Sequence, residues 1–205
     1  MKIKNRIYQF KISLREITPV VWRRIYVSSN YDFWDLHVAI QDSMGWLDYH
    51  LHQFSIKRPH SHRFTEIGIP ADEWFDEEYE ILPGWEVNVA DYFTDLGVKA
   101  LYKYDFGDGW EHDIELEGLL LREKGVKYPR CMDGERACPP EDCGGVSGFF
   151  RFLDIISNPM HDEHEEMLEW AGGKYNPDDF DPNSVRFDNP KQRWKKAFID
   201  SQRMS

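Results

Sequence analysis

Two runs near the start of the chain alternate apolar and polar side chains, and a two-residue period is the signature of a half-buried strand. Tyr8, Phe10, Ile12 and Leu14 point one way, while Gln9, Lys11, Ser13 and Arg15 point the other. Ile17-Thr18-Pro19 breaks the run. Val21, Arg23, Ile25 and Val27 then alternate with Trp22, Arg24 and Tyr26. Antiparallel pairing is the simplest way to join two such neighbours. After the turn Ser28-Ser29-Asn30 the period becomes helical. Phe33, Leu36, Ile40 and Met44 form one stripe from a start near Asp32, and Gly45 stands where a helix is commonly closed by glycine. Alternation returns over residues 50–57, with His52, Phe54 and Ile56 on one side.

This ββαβ order matches the opening of a β-grasp domain, and the expectation for the whole chain, residues 1–205, is one α+β domain with an antiparallel or mixed sheet and C-terminal helices. The middle is acidic: no Lys or Arg occurs from Thr65 to Val98, and acids crowd residues 72–78. A short helix is expected over 89–96. Residues 99–104 and 112–120 read as hairpin arms around Asp105-Phe106-Gly107-Asp108-Gly109, because Asp-Gly pairs are strong hairpin signals. Residues 128–148 hold all three Cys with several Pro and Gly and cannot be one regular element. Helices are expected over 149–157, 159–171 (Pro159 in its first turn, Gly172-Gly173 at its end) and 190–203.

Charge and ring content exclude several classes. Lys plus Arg total 25 against 37 Asp plus Glu, a net charge of −12, which is the wrong sign for a general nucleic-acid binder. Aromatic residues make up 15% of the 205, too many for a disordered chain. No apolar run approaches the roughly 20 residues of a membrane span, and residues 1–6 lack the apolar core of a secretory signal. Three cysteines do not make a disulfide scaffold. These features lead to the expectation of a cytoplasmic protein with no membrane partner.

Four constellations have the residue types for chemistry. Cys131, Cys138 and Cys143 offer three thiolates. The four-residue spacer between the last two suits a metal, with His161 or His164 as the fourth ligand, and zinc is the ion such a set takes. The same residues also read as reduced thiols in a Pro- and Gly-shaped loop, as a disulfide pair, or as a nucleophilic Cys–His pair. Around the hairpin tip, Asp105, Asp108 and His112 are candidates for acid–base work or a divalent cation. The triplet Asp105-Phe106-Gly107 matches a kinase motif, but no other kinase element accompanies it. His161 and His164 stand three apart, not the four of a zincin helix, and His164 shares an apolar stripe with Met160, Met167 and Leu168. His50 and His52 could share a strand face, whereas His60 and His62 belong to a loop. Arg23-Arg24 reads as an ion-pairing surface pair, and the basic residues Lys191, Arg193, Lys195, Lys196 and Arg203 as a helix packed on the acidic body.

The segments Tyr8 to Leu14, Ile17 to Arg24, Leu36-His37, Met44-Gly45-Trp46, His50 to Phe54, Tyr104 to His112, Ala137 to Gly145 and Pro159 to His164 with Glu169-Trp170 together resemble the plasmid ORF-3-like family, also labelled insertion-element passenger proteins of TnpR type. The resemblance spans about residues 6–187. It implies an α+β fold and a link with mobile elements, but no particular reaction. A serine resolvase, which the TnpR label suggests, needs an activated Ser, supporting arginines and a basic helix pair, and the sequence shows no such arrangement. The leading functional expectation is a protein that binds a partner or small ligand between the 105–112 hairpin tip and the cysteine loop. Two alternatives stand beside it: a zinc-binding protein or metal-dependent hydrolase at the same place, and an accessory protein in DNA transactions.

Overall fold

In a computed structural model of the chain, which describes residues 6–70 and 80–200, one eight-stranded sheet organises the molecule. Its strands are β1 (Arg6–Leu14), β2 (Trp22–Ser28), β3 (His52–Lys57), β4 (Phe64–Gly68), β5 (Ile81–Pro83), β6 (Lys99–Tyr104), β7 (Trp110–Leu121) and β8 (Arg130–Glu135). They lie in the order β5-β4-β3-β6-β7-β1-β2-β8. Every pairing is antiparallel except β4 with β5, so the sheet is mixed and the fold is α+β. Between β2 and β3 runs helix α1 (Phe33–Met44), giving the expected ββαβ opening.

Strand alternation sorts the two faces. Phe10 and Ile12 of β1, Ile25 of β2, Phe54 and Ile56 of β3, Tyr102 of β6 and Ile114 of β7 are fully buried beneath α1 and its neighbours. The opposite face carries cross-strand ion pairs: Arg15 with Glu111 and Asp113, Arg24 with Glu117 and Asp133, Lys99 with Glu115, Lys103 with Glu111. One dry and one wet face is the usual economy of an antiparallel sheet. A bulge makes Glu117 the extra residue on β7, where β1 shifts register between Gln9 and Phe10. Glu117 then accepts from both Gln9 and Arg24.

Helix α1 begins where Asp32 accepts from Asp35 N at 2.7 Å, and it ends at Gly45, whose φ of 86° suits only a residue without Cβ. Helices α2 (Gly145–Ser157), α3 (His164–Trp170) and α4 (Pro190–Lys195) follow the sheet. Phe149, Phe152 and Ile155 are the buried face of α2. Helix α4 is tied to α1 by Trp34 Nε1 donating to the Pro190 carbonyl and by Arg193 pairing with Asp42, and Arg193 also pairs with Asp48 in the segment after α1.

Several expectations are corrected. The short helix over 89–96 is a single 3-10 turn, Val89–Asp91, because the chain turns away toward Gly97, whose N–H bonds the Leu116 carbonyl. Strands β4 and β5 were not expected. Strand β8 lies inside the cysteine segment. As an edge strand paired to β2 alone it is exposed at most positions, so it leaves no alternation to read. Helix α2 starts at Gly145, four residues early. Residues 158–163 make successive turns, so α3 is shorter than 159–171, and Asn158 closes α2. Arg23 is not on the surface but 1% exposed on the buried face of β2. The acidic run 72–78 and the end of the expected final helix, residues 201–203, lie outside the described residues.

Phe54 packs its ring against Phe33 and Tyr102 with centroids 5.1 and 4.7 Å away. Urea unfolding of Phe54→Ala is expected to show a loss of about 3–5 kcal/mol, against about 1 kcal/mol for the cap variant Asp32→Ala.

Candidate functional site

The β6–β7 hairpin tip meets two loops, and each contact is polar and specific. Asp105 sits at φ 53°, a left-handed conformation that aspartate tolerates better than most residues. Its Oδ1 accepts from Gly107 N and Asp108 N, which folds the tip. Asp108 Oδ2 accepts from Gly144 N, and Gly145 packs so tightly that a Cβ there would lie 2.3 Å from the Asp108 carbonyl oxygen. The 138–145 loop is also pinned to the segment after α1. Trp46 Nε1 donates to the Pro139 carbonyl at 2.9 Å, and Leu47 N to Glu141 Oε2 at 2.7 Å. Tyr104 donates its hydroxyl to the other oxygen of Glu141. Burial and that carboxylate push the Tyr104 phenol well above its ordinary range, so it remains a donor.

These contacts converge three side chains from three segments. His50 Nε2 lies 2.9 Å from Asp142 Oδ1 and 3.6 Å from Asp105 Oδ2. One ligand-type atom from each of His50, Asp105 and Asp142 falls within 4.8 Å of the other two. Among the described residues this is the group of three or more His, Cys, Asp or Glu side chains that meets that spacing. Two donors each about 2.1 Å from a metal stand roughly 3.0–3.4 Å apart, a range that the 2.9 and 3.6 Å separations from His50 bracket. The Asp105 side chain is only 10% exposed, and its Oδ2 receives no hydrogen bond among the described residues. His50 is 30% and Asp142 61% exposed, so the open side of the group faces solvent. A cleft of about 470 Å³ begins at Asp142 and Cys143 and runs along Arg151, Phe152, Met167 and Trp170.

The sequence candidates are placed as follows. Asp105 is in the group, and Asp108 supports it through Gly144. His112 is fully buried under Trp46 and Tyr102, and neither ring nitrogen has a hydrogen-bond partner among the described residues. Cys131, Cys138 and Cys143 are free, half-buried thiols. Cys131 lies on β8. Cys138 lines a different cleft from Cys143, and no cysteine belongs to the His50 group. Burial pushes the thiols of Cys138 and Cys143 up to about 12, outweighing the Arg23 guanidinium near Cys138. His164 bonds the Ile155 carbonyl through Nδ1, and His161 accepts from Glu163 N, so each is engaged within its own segment. His50 does not share a face with His52, since β3 starts only at His52. Asp142 was not among the sequence candidates. Its role depends on a loop returning to residues 92 positions earlier.

A second polar cluster lies deeper. His37 stacks on His52 with ring centroids 3.4 Å apart. Gln41 Nε2 donates to the Tyr102 oxygen, so the assignment that satisfies the rest has Tyr102 donating to His37 Nδ1 and His37 Nε2 donating to Asp48. Burial drives His52 well below its ordinary value, and His112 down to about 3.

Three comparisons bear on this arrangement. The family model described as plasmid pRiA4b ORF-3-like protein matches residues 6–184. "Uncharacterized protein y4hQ" of Sinorhizobium fredii (strain NBRC 101917 / NGR234) is 33% identical over 182 residues, 88% of this chain and 87% of that protein. The crystal structure of the protein of unknown function MM3350 from Methanosarcina mazei Go1 superposes with a TM-score of 0.80 at 40% identity, covering 90% of this chain and 99% of the other.

Two outcomes follow. Native-state alkylation of Cys138 and Cys143 by iodoacetamide at neutral pH is expected to be slower than in the urea-unfolded chain by a factor of 100 or more, on the order of what a thiol raised well beyond about 8.5 allows. The lowered histidines set a pH dependence. The unfolded chain protonates His112 near pH 6.5 but the native fold only near 3, so stability falls on acidification through that window. Between pH 7.5 and 5.0, His112→Phe is expected to lose about 2 kcal/mol less than the unaltered chain in paired urea titrations.

Proposed function

The chain belongs to the plasmid pRiA4b ORF-3-like family, and on that footing we propose that it is a ligand-binding protein whose site is a divalent cation held by His50, Asp105 and Asp142. The observation that carries the reading is the nearly buried Asp105 carboxylate, its Oδ2 free of hydrogen bonds and directed at His50 in a group with two negative charges. A buried carboxylate beside another is costly without a cation. One imidazole and two carboxylates are a mixed donor set that suits Zn²⁺, Mn²⁺ or Fe²⁺ better than Ca²⁺. Three protein ligands leave coordination positions open, the pattern of sites that engage a ligand or water rather than of closed structural sites.

Asp142 also lines the cleft that runs to Trp170, so a ligand on the ion can extend into it. An oxygen-donor ligand with an apolar body suits it, the donor on the ion and the body against Phe152, Met167 and Trp170. Asp108 is committed to Gly144 N, so it is not placed as a general base, and ligand binding is favoured over hydrolysis. Arg193 of the basic C-terminal helix is taken up by Asp42, Asp48 and Asp188, which disfavours a nucleic-acid role. The plasmid origin in the family's description supports a role connected with mobile elements. No helix among the described residues is long and apolar enough to cross a membrane, in keeping with a ligand presented from the aqueous phase.

Isothermal titration of the metal-free chain with ZnCl₂ and MnCl₂ tests this. One ion per chain is expected, with affinity falling on acidification because the imidazole nitrogen must be free of its proton. His50→Ala and Asp105→Asn are expected to weaken binding at least about tenfold, in the range found for losing a ligand or its immediate support. Cys138→Ser is expected to leave it unchanged. Loss on Cys138→Ser with no effect of His50→Ala would move the ion to the cysteine set and overturn the assignment.

A further inference from the structure

Arg23 is a cation enclosed by the fold without an anion. It is 1% exposed, yet it makes no ion pair among the described residues, while its neighbour Arg24 is paired with both Glu117 and Asp133. Five N–H groups need acceptors. Nε donates to the Ser43 carbonyl at 2.9 Å, and Nη1 to the carbonyls of Trp22 at 2.8 Å and Glu135 at 2.9 Å. Phe180 lies with its ring centroid 3.6 Å from the guanidinium carbon and shields one face. Nη2, with two N–H groups, has no acceptor among the described residues. Carbonyl dipoles and an aromatic face hold the ion in place without neutralising it, and burying an unneutralised charge is costly.

The cleft that Arg23 lines has a volume of about 770 Å³ and is shared with Ser43, Trp46, Cys138, Ser184 and Arg186. That is the size range of small-molecule sites. None of its acids pairs with Arg23 among the described residues. Asp42 and Asp188 both pair with Arg193, Asp179 accepts from Asn176, and Asp181 from Asn183. Arg186 at the rim donates to the Asn183 and Val185 carbonyls and makes no ion pair among the described residues.

We propose that this cleft is a second ligand site, separate from the His50 group, and that Arg23 Nη2 binds the carboxylate of a small organic monoanion. One nitrogen supplies the free donors, and Asp179 and Asp181 stand among the lining residues. Both features select a singly charged carboxylate over a phosphate dianion, and a ligand that also carries an ammonium group gains from the two aspartates. The ligand body lies against Trp46 and the Cys138 side of the cleft.

The test uses the full chain with EDTA present, so that the His50 group contributes nothing. Thermal-shift and isothermal titration at constant ionic strength compare acetate, pyruvate and glycine with inorganic phosphate and sulfate. Saturable stabilisation by the monocarboxylates, exceeding that by phosphate, is expected. Arg23→Gln is expected to weaken it about tenfold or more, the effect of losing a hydrogen bond from a charged donor. Because Arg23 also ties three carbonyls together, Arg186→Glu serves as a second variant. It leaves those bonds intact, adds a negative charge to the rim and is expected to weaken carboxylate binding as well. Absence of saturable binding, binding retained in both variants, or phosphate binding more tightly than the monocarboxylates would each overturn the proposal.

Discussion

A wide sheet must be covered on one face by elements too small to cover it. Eight strands spaced about 4.8 Å apart span about 34 Å, whereas a helix of 12 residues is about 18 Å long and 10 Å across. Helix α1 therefore shields only part of the apolar face, and the rest falls to α2 and long irregular segments. Irregular backbone over a core is acceptable only when its polar groups find partners. This requirement accounts for the dense side-chain-to-backbone bonding where residues 46–50, the hairpin tip and residues 137–145 meet.

Most of these pins are large residues with one polar atom. Trp46 places its indole in the core against Tyr104 and Trp110 and donates its one N–H to Pro139. Trp34 does the same for Pro190, and Tyr104 for Glu141. Arg23 ties β2, the end of α1 and the end of β8 to one guanidinium. Beneath them the seam of Asp48, His37, Tyr102 and Gln41 links α1 to β6, and through Arg193 to the C-terminal helix. Burial of His52 and His112 in neutral form follows from the same packing, because the loss of solvation outweighs what Asp113 and Glu111 offer a charged His112.

The parts of this design that are local in sequence were legible. Alternation in β1, β2 and β3, the α1 stripe with Asp32 and Gly45 at its ends, and the Asp-Gly hairpin are each decided by neighbouring residues. Arg23 shows where that reading fails. Its position in the alternation points to the buried face while its charge points to solvent, and the carbonyls of Ser43 and Glu135 that decide the matter are supplied by distant chain. Strand β8 was hidden because an edge strand need not alternate. Of the His50 group, Asp105 was found from turn chemistry and His50 as half of a histidine pair, while Asp142 was not singled out. Nothing in the spacing of 50, 105 and 142 reports a convergence that exists only once the loop is pinned.

The loop from 137 to 145 has a consequence for the arrangement of chemistry. Cys138 on one side borders the Arg23 cleft, and Asp142, four residues on, faces His50. Between them Pro139 and Glu141 are held by Trp46, Leu47 and Tyr104, so this stretch is fixed at nearly every residue. Fixed side chains lose little further freedom when they meet a ligand, and a preorganised site converts more of its contact energy into affinity. The same pins that let irregular chain cover a sheet therefore hold donor groups at defined separations. The Arg23 cleft and the His50 group accordingly flank this one fixed loop, away from the ion-paired outer face of the sheet.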